Sequence, residues 1–273
     1  MKYLAIVLPV LILMTMHSSV AAADTWEEYS ALRSQYYYLD EQEFNGITCS
    51  VESPMLTELV RQLKAQFEPL KGNLEMTENL SDFSLSYRNP RGLEINRPAL
   101  DVIIKSDEGM ADPEKVRDGV QMIKSGFGQA IAGIVMQLEG VLEGYLSPRR
   151  EDFEMLGISK EGGSSVVTYR RGGNDVTETF SGNKVETKSR GAGGEIHALE
   201  SFEEGGGNKL ILKEASVTIK QPMGTIESDI HMTYQEVGPV IFPKRIATKF
   251  TQDIQSMHQE GQTEINLTDC RAD

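Results

Sequence analysis

The chain has 273 residues, is 39% hydrophobic and 25% charged, and carries a formal charge of −14 with a pI near 4.8. That composition belongs to a globular protein, neither fibrous nor disordered. The acidity argues against binding along a nucleic-acid backbone or on anionic lipid headgroups, both of which need a basic face, and leaves a basic protein partner possible.

Residues 1–23 read as an export leader. Lys2 supplies a positive n-region, Leu4 to Met16 an apolar h-region, and Ala21-Ala22-Ala23 a small-residue cleavage site before Asp24. The apolar run is too short to span a bilayer as a helix, so the mature protein is expected to be periplasmic or secreted and not an integral membrane protein. No long linker or repeat interrupts residues 24–273, which are expected to form a single domain.

Trp26 to Asp40 is helix-like, with Trp26, Tyr29, Leu32 and Tyr36 spaced for one face. Phe44 to Val51 changes to strand chemistry. Ser53-Pro54 restarts a helix, Pro54 suiting its first turn, with Leu56, Leu59, Val60, Leu63 and Phe67 as its apolar face. Residues 73–104 hold two or three strands, clearest where Phe83, Leu85 and Tyr87 alternate with Ser84 and Ser86.

A helical insertion is expected at about 107–147, with its helix over 112–145. Val116, Val120, Ile123, Phe127, Ile131, Ile134, Leu138, Val141 and Tyr145 form a stripe at helical spacing, Pro113 opens the helix and Pro148 follows it. Gly119, Gly126, Gly133 and Gly140 recur every seventh residue, and each costs a helix about 0.8–1 kcal/mol relative to Ala. A smooth face for close approach of another backbone would explain them. A bend, a break near Gly126-Phe127-Gly128 or a movable element would do so too.

After Arg150 the sequence reads as an antiparallel β-meander: residues 166–170, 176–180, 184–188, 195–202, 210–220, 226–234, 246–251 and 264–268, separated by glycine-rich turns. Ile226, Ile230, Met232 and Tyr234 share one side of a strand, and Glu227, Asp229 and His231 the other. The two cysteines, Cys49 and Cys270, form an even pair, which in an exported chain reads as a disulfide. Such a bridge would bring the first and last strands together and suggests a sheet that curls back on itself.

The fold class expected is α+β. This element order, together with Phe44-x-Gly46-x-x-Cys49 and Tyr234-x-x-Val237 followed by Phe242-Pro243-Lys244-Arg245-Ile246, resembles the periplasmic lipoprotein-carrier (LolA-like) superfamily. The resemblance implies a strongly curved antiparallel sheet (a half-barrel), with N-terminal helices and a long helix on or in its concave face. It also implies non-covalent carriage of an acyl chain, lipid or lipoprotein, with no catalysis. The glycine-striped helix and the C-terminal Cys depart from the family pattern.

No catalytic, metal-binding or cofactor motif competes with this reading. His197, His231 and His258 lack metal-ligand spacing, no nucleophile elbow is present, and Gly126-x-Gly128 lies within a helix with no strand before it. No enzyme activity and no cofactor is expected. An apolar concave face must be occupied by a greasy ligand or by the chain's own helix, giving two readings: a carrier, or an interaction module filled by residues 112–145. The candidate ligand walls are Phe83, Leu85, Tyr87, Leu210, Leu212, Ile230, Met232 and Tyr234.

Overall fold

A computed structural model describes residues 25–273 except 71, 91, 107, 109–111 and 256; the expected leader lies outside the described residues. Among these, three α-helices accompany fourteen strands. Helix α1 covers residues 25–33, shorter than the helix expected to Asp40. It stops because Tyr36-Tyr37-Tyr38 favours extended backbone. Tyr37 N donates to Leu210 O and Leu210 N to Gln35 O, each at 2.8 Å, making a short parallel bridge in place of another helical turn.

Strand β1 (Gly46–Glu52) leads into helix α2 (Pro54–Phe67), whose Ser53 cap accepts a hydrogen bond from Leu56 N. Leu56, Val60 and Leu63 are its buried residues. Four short strands follow, not two or three: β2 (Leu74–Glu78), β3 (Ser84–Arg88), β4 (Gly92–Asn96) and β5 (Leu100–Ile104). Helix α3 (Pro113–Gly144) is continuous through Gly126-Phe127-Gly128, with Asp112 Oδ1 accepting from Lys115 N at 3.1 Å as its cap. Its buried residues include Phe127, Ile131, Ile134 and Leu138 from the expected stripe, with Val135 and Leu142 beside them.

The meander comprises β6 (Glu154–Glu161), β7 (Ser164–Arg171), β8 (Asn174–Ser181), β9 (Lys184–Gly191), β10 (Gly194–Glu204), β11 (Leu210–Gln221), β12 (Gly224–Val237), β13 (Val240–Ile254) and β14 (Met257–Ala272). Strand β6, whose pairing with β7 skips Leu156, has no counterpart in the sequence reading. Gly163 and Gly173 sit at φ +90° and +81° in their hairpin turns, where a side chain would be strained.

Twelve strands form one antiparallel sheet in the order β4-β3-β1-β14-β13-β12-β11-β10-β9-β8-β7-β6, not closed into a barrel, while β2 and β5 pair separately. Cys49 and Cys270 form the expected disulfide, with a Cα–Cα distance of 4.1 Å. It joins neighbours inside the sheet, β1 and β14, and not the two sheet edges, β4 and β6. The bridge therefore does not by itself require the sheet to curl.

The chain divides into two compact units. Unit 1 takes the chain up to Tyr37, Pro148–His231 and Lys249–Gly261; unit 2 takes Tyr38–Ser147, Met232–Thr248 and Gln262–Asp273. In unit 2, α3 lies against the sheet: Gln137 receives a 2.9 Å hydrogen bond from Thr263 and donates to Thr248. The rings of Tyr145 and Tyr234 meet at 6.0 Å. Leu39 N donates to Tyr145 O, and Asp40 accepts from both the backbone and the hydroxyl of Ser147, so the helix C-terminus is tied down as well.

The glycine track of α3 does not serve close approach. A Cβ built at Gly119, Gly126, Gly133 or Gly140 would meet nothing within 4 Å. The buried residues of the helix lie on its other side, so the backbone contact expected at the glycines is absent among the described residues.

Candidate functional site

Residues paired across an antiparallel sheet point to the same face. In unit 1 this places three cross-strand rows side by side on β7 to β12. One row runs Tyr169, Val176, Ser189, Ile196, Ile219, Ile226. The next runs Val167, Glu178, Thr187, Ala198, Val217, Ser228, and the third Ser165, Phe180, Val185, Glu200, Ala215, Ile230. The opposite face is polar, and one of its rows alternates in charge: Arg170, Asp175, Arg190, Glu195, Lys220. Opposite charges in register each add a few tenths of a kcal/mol and help to hold the strand pairing.

Helix α1 covers the β7–β8 end of the apolar face. Tyr29 meets Phe153, Tyr169 and Phe180 at ring distances of 5.7, 5.9 and 6.4 Å, and Tyr36 meets Phe180 and Phe202 at 6.3 and 4.5 Å. Arg33 enters this cluster. Its guanidinium lies 5.2–5.7 Å from the ring centres of Tyr29, Tyr36 and Phe180, a cation–π geometry, and Nη2 reaches Glu178 Oε1 at 2.6 Å. The Tyr169 hydroxyl donates to the same oxygen at 2.7 Å. The other carboxylate oxygen, Oε2, is buried and has no hydrogen-bond partner.

Burial shapes the acid–base character of this cluster. It pushes the Tyr36 hydroxyl up to about 12, and raises Tyr169 further, with the charge of Glu178 adding to the effect. Both phenols therefore stay protonated at any physiological pH. Desolvation also raises the carboxyl of Glu200, against the lowering effect of Arg33.

The β10–β12 end of the same face is not sealed. Ile196 is 42% exposed, and Ala198, Val217, Ile219, Ile226 and Ile230 are half-buried. Covering a half-exposed isoleucine with apolar atoms returns roughly 1 kcal/mol, so this stretch favours an apolar occupant. The result is an oily track bounded at one end by Glu200 and by the Arg33–Glu178–Tyr169 group.

The candidate walls read from sequence separate between the units. Phe83, Leu85, Tyr87 and Met232 lie in unit 2 and are fully buried there. Tyr234, half-buried, donates to Met232 Sδ at 3.7 Å. Phe83 also borders a cavity of about 510 Å³ by the start of α2, and Tyr234 one of about 530 Å³. The walls of the second include Glu52, Lys244, Arg245 and Asn266, a polar set unsuited to an acyl chain. Leu210, Leu212 and Ile230 lie in unit 1: Leu210 bridges Tyr36, Leu212 pairs with Phe202, and Ile230 with Ala215. Only Ile230 belongs to the half-exposed track.

Ile196, Ala198, Val217 and Ile219 were not singled out from the sequence, although their alternation with Glu195, His197 and Thr218 was a usable signal. A bulge hid the phase. Ser201 pairs with Glu214 but Phe202 with Leu212, so Lys213 is an extra residue that resets the alternation in β11. Counting from Leu210 and Leu212 alone does not reveal that Ala215, Val217 and Ile219 share the apolar face. Arg33 and Glu178, 145 residues apart, carried no sequence signal of pairing. No family model, curated protein or solved structure matches the chain.

Proposed function

We propose that the protein is a non-catalytic carrier that holds a single apolar chain, such as an acyl group, on the track formed by Ile196, Val217, Ile219, Ile226 and Ile230. The observation that carries this reading is the half-exposed cross-strand row Ile196–Ile219–Ile226, flanked on the same face by Ala198, Val217 and Ile230, on a face whose other end is covered by α1. In this reading the open sheet bends into a half-barrel around the ligand, as the resemblance to the lipoprotein-carrier superfamily implies. The protein works in the periplasm or outside the cell. Two observations are compatible with that setting: the Cys49–Cys270 disulfide, and the fact that no helix among the described residues is long and apolar enough to cross a membrane.

Unit 2 supports the second reading, of a sheet face filled by the chain's own helix, for its own part of the sheet. There α3 is held by Gln137 and by the Leu39 and Asp40 contacts, so a lid motion would have to break all of them. The two readings therefore apply to different regions.

Organic extraction of the purified protein followed by mass spectrometry tests the proposal, together with titration of a fluorescent acyl probe. A copurifying lipid or saturable probe binding is expected, with binding lost in Ile219→Glu while the far-UV spectrum is unchanged. A dry protein that binds no acyl probe would refute carriage.

A further inference from the structure

The polar end of the track has a chemistry of its own. Glu178 is 4% exposed, and its Oε1 already accepts from Arg33 Nη2 and the Tyr169 hydroxyl. Its Oε2 has neither solvent nor a donor. A carboxylate oxygen carries acceptor capacity that a buried site leaves unmet only at a standing cost, so such an atom marks the place where a donor is missing. Glu178 shares its cross-strand row with Ala198 and Val217, and Ala198 lies two strands away, about 10 Å across the sheet. A ligand whose tail lies over Ala198, Val217 and Ile219 thus has its head within reach of Glu178.

We propose that Glu178 Oε2 is the headgroup acceptor of this site, and that the ligand is an amphiphile with an uncharged, hydroxyl-bearing head, of the monoacylglycerol kind, in preference to a free fatty acid. This inference rests on the carrier reading above and specifies its ligand. A carboxylate head is disfavoured for two reasons. The Arg33 guanidinium is already engaged by Glu178 and stacked among three rings, and the Arg171 guanidinium lies over the Phe153 ring, 5.3 Å from its centre. A carboxylate head also has no proton to offer Glu178 Oε2, whereas a hydroxyl head has one.

The test uses three probes of one chain length displacing a fluorescent acyl probe from the full chain: a monoacylglycerol, the fatty-acid methyl ester and the free fatty acid at neutral pH. The expected order of affinity is monoacylglycerol, then methyl ester, then fatty acid, with the first step roughly tenfold or more, as for a hydrogen bond to a charged acceptor. In the double variant Arg33→Met/Glu178→Met, which removes the pair without stranding a buried charge, the monoacylglycerol should lose its advantage over the methyl ester. If that variant does not fold, the wild-type ranking still decides. Equal affinity for monoacylglycerol and methyl ester, or tightest binding by the fatty acid, overturns the headgroup assignment and leaves carriage standing. Failure of all three to bind overturns carriage itself, and the assignment with it.

Discussion

The two units put the same strand pattern to different ends. In unit 2 the apolar members of the alternating strands, Leu85 and Tyr87 on β3 and Met232 on β12, are closed off, and α3 is held to β12, β13 and β14 through Tyr145 and Gln137. In unit 1 the covering helix is only nine residues long, and the track from Ile196 to Ile230 remains half-exposed. Alternation makes a greasy face in both. Whether that face becomes a core or a binding surface depends on how much helix is available to cover it.

The largest effect should separate the two regions directly. Leu85→Ala removes a fully buried side chain from unit 2 and is expected to cost about 2–5 kcal/mol in urea denaturation, with acyl-probe affinity unchanged under native conditions. Ile219→Ala should cost about 1 kcal/mol or less because its site is half-exposed, yet weaken probe binding. If the two variants behaved alike in both measurements, the contrast between core and binding surface would be lost.

A smaller effect probes the outer side of α3. Because nothing lies within 4 Å of a Cβ at Gly126 or Gly133, Gly126→Ala and Gly133→Ala should each stabilise the protein by about 0.8–1 kcal/mol through helix propensity alone. A drop in Tm for either would mean that the glycine track is covered in solution, and unit 2 would then have a contact on both sides of its helix.

The smallest concerns the polar strand ends of unit 1. His258 lies beside Asp253 at 2.6 Å and Glu260 at 3.3 Å, and the hydrogen bond to Asp253, then that to Glu260, raises its pKa above the ordinary histidine value. A raised folded-state pKa means that the stabilisation is fully present below the unfolded value near 6.5 and fades as the pH rises through the folded one. An NMR titration should place His258 above a free histidine, and Asp253→Asn should lower it. An unshifted titration would remove the pair from the account of this region. The surface location makes any effect on global stability slight.

Much of the fold was readable from local pattern. Ser53-Pro54, Asp112-Pro113 and the turn glycines are short-range signals whose physical causes lie within a few residues, and the elements they bound are present. The early end of α1 was not readable, since it depends on Leu210, far along the chain, offering backbone partners to Gln35 and Tyr37. Nor could the openness of the glycine track be inferred, because a glycine every seventh residue looks the same whether a neighbour covers it or not. Of the candidate site, the sequence reading named Ile230 as a wall and placed Ile226 on the same side of its strand, and the other members of the track were not singled out.

By itself the sequence determined most of the strands and the two longer helices, the amphipathic character of the sheet and the pairing of its two cysteines, because each follows from local spacing or from there being a single possible partner. Strand β6, the fourth strand within 73–104 and the early end of α1 lay beyond it. Only tertiary structure decided which apolar rows are covered. That outcome turns on strand register, on one extra residue at Lys213, and on contacts such as Arg33 with Glu178 and Gln137 with Thr263, which join residues more than a hundred positions apart. Contacts at that separation leave no periodic trace in the chain, so the location of the oily track is a property of the folded sheet.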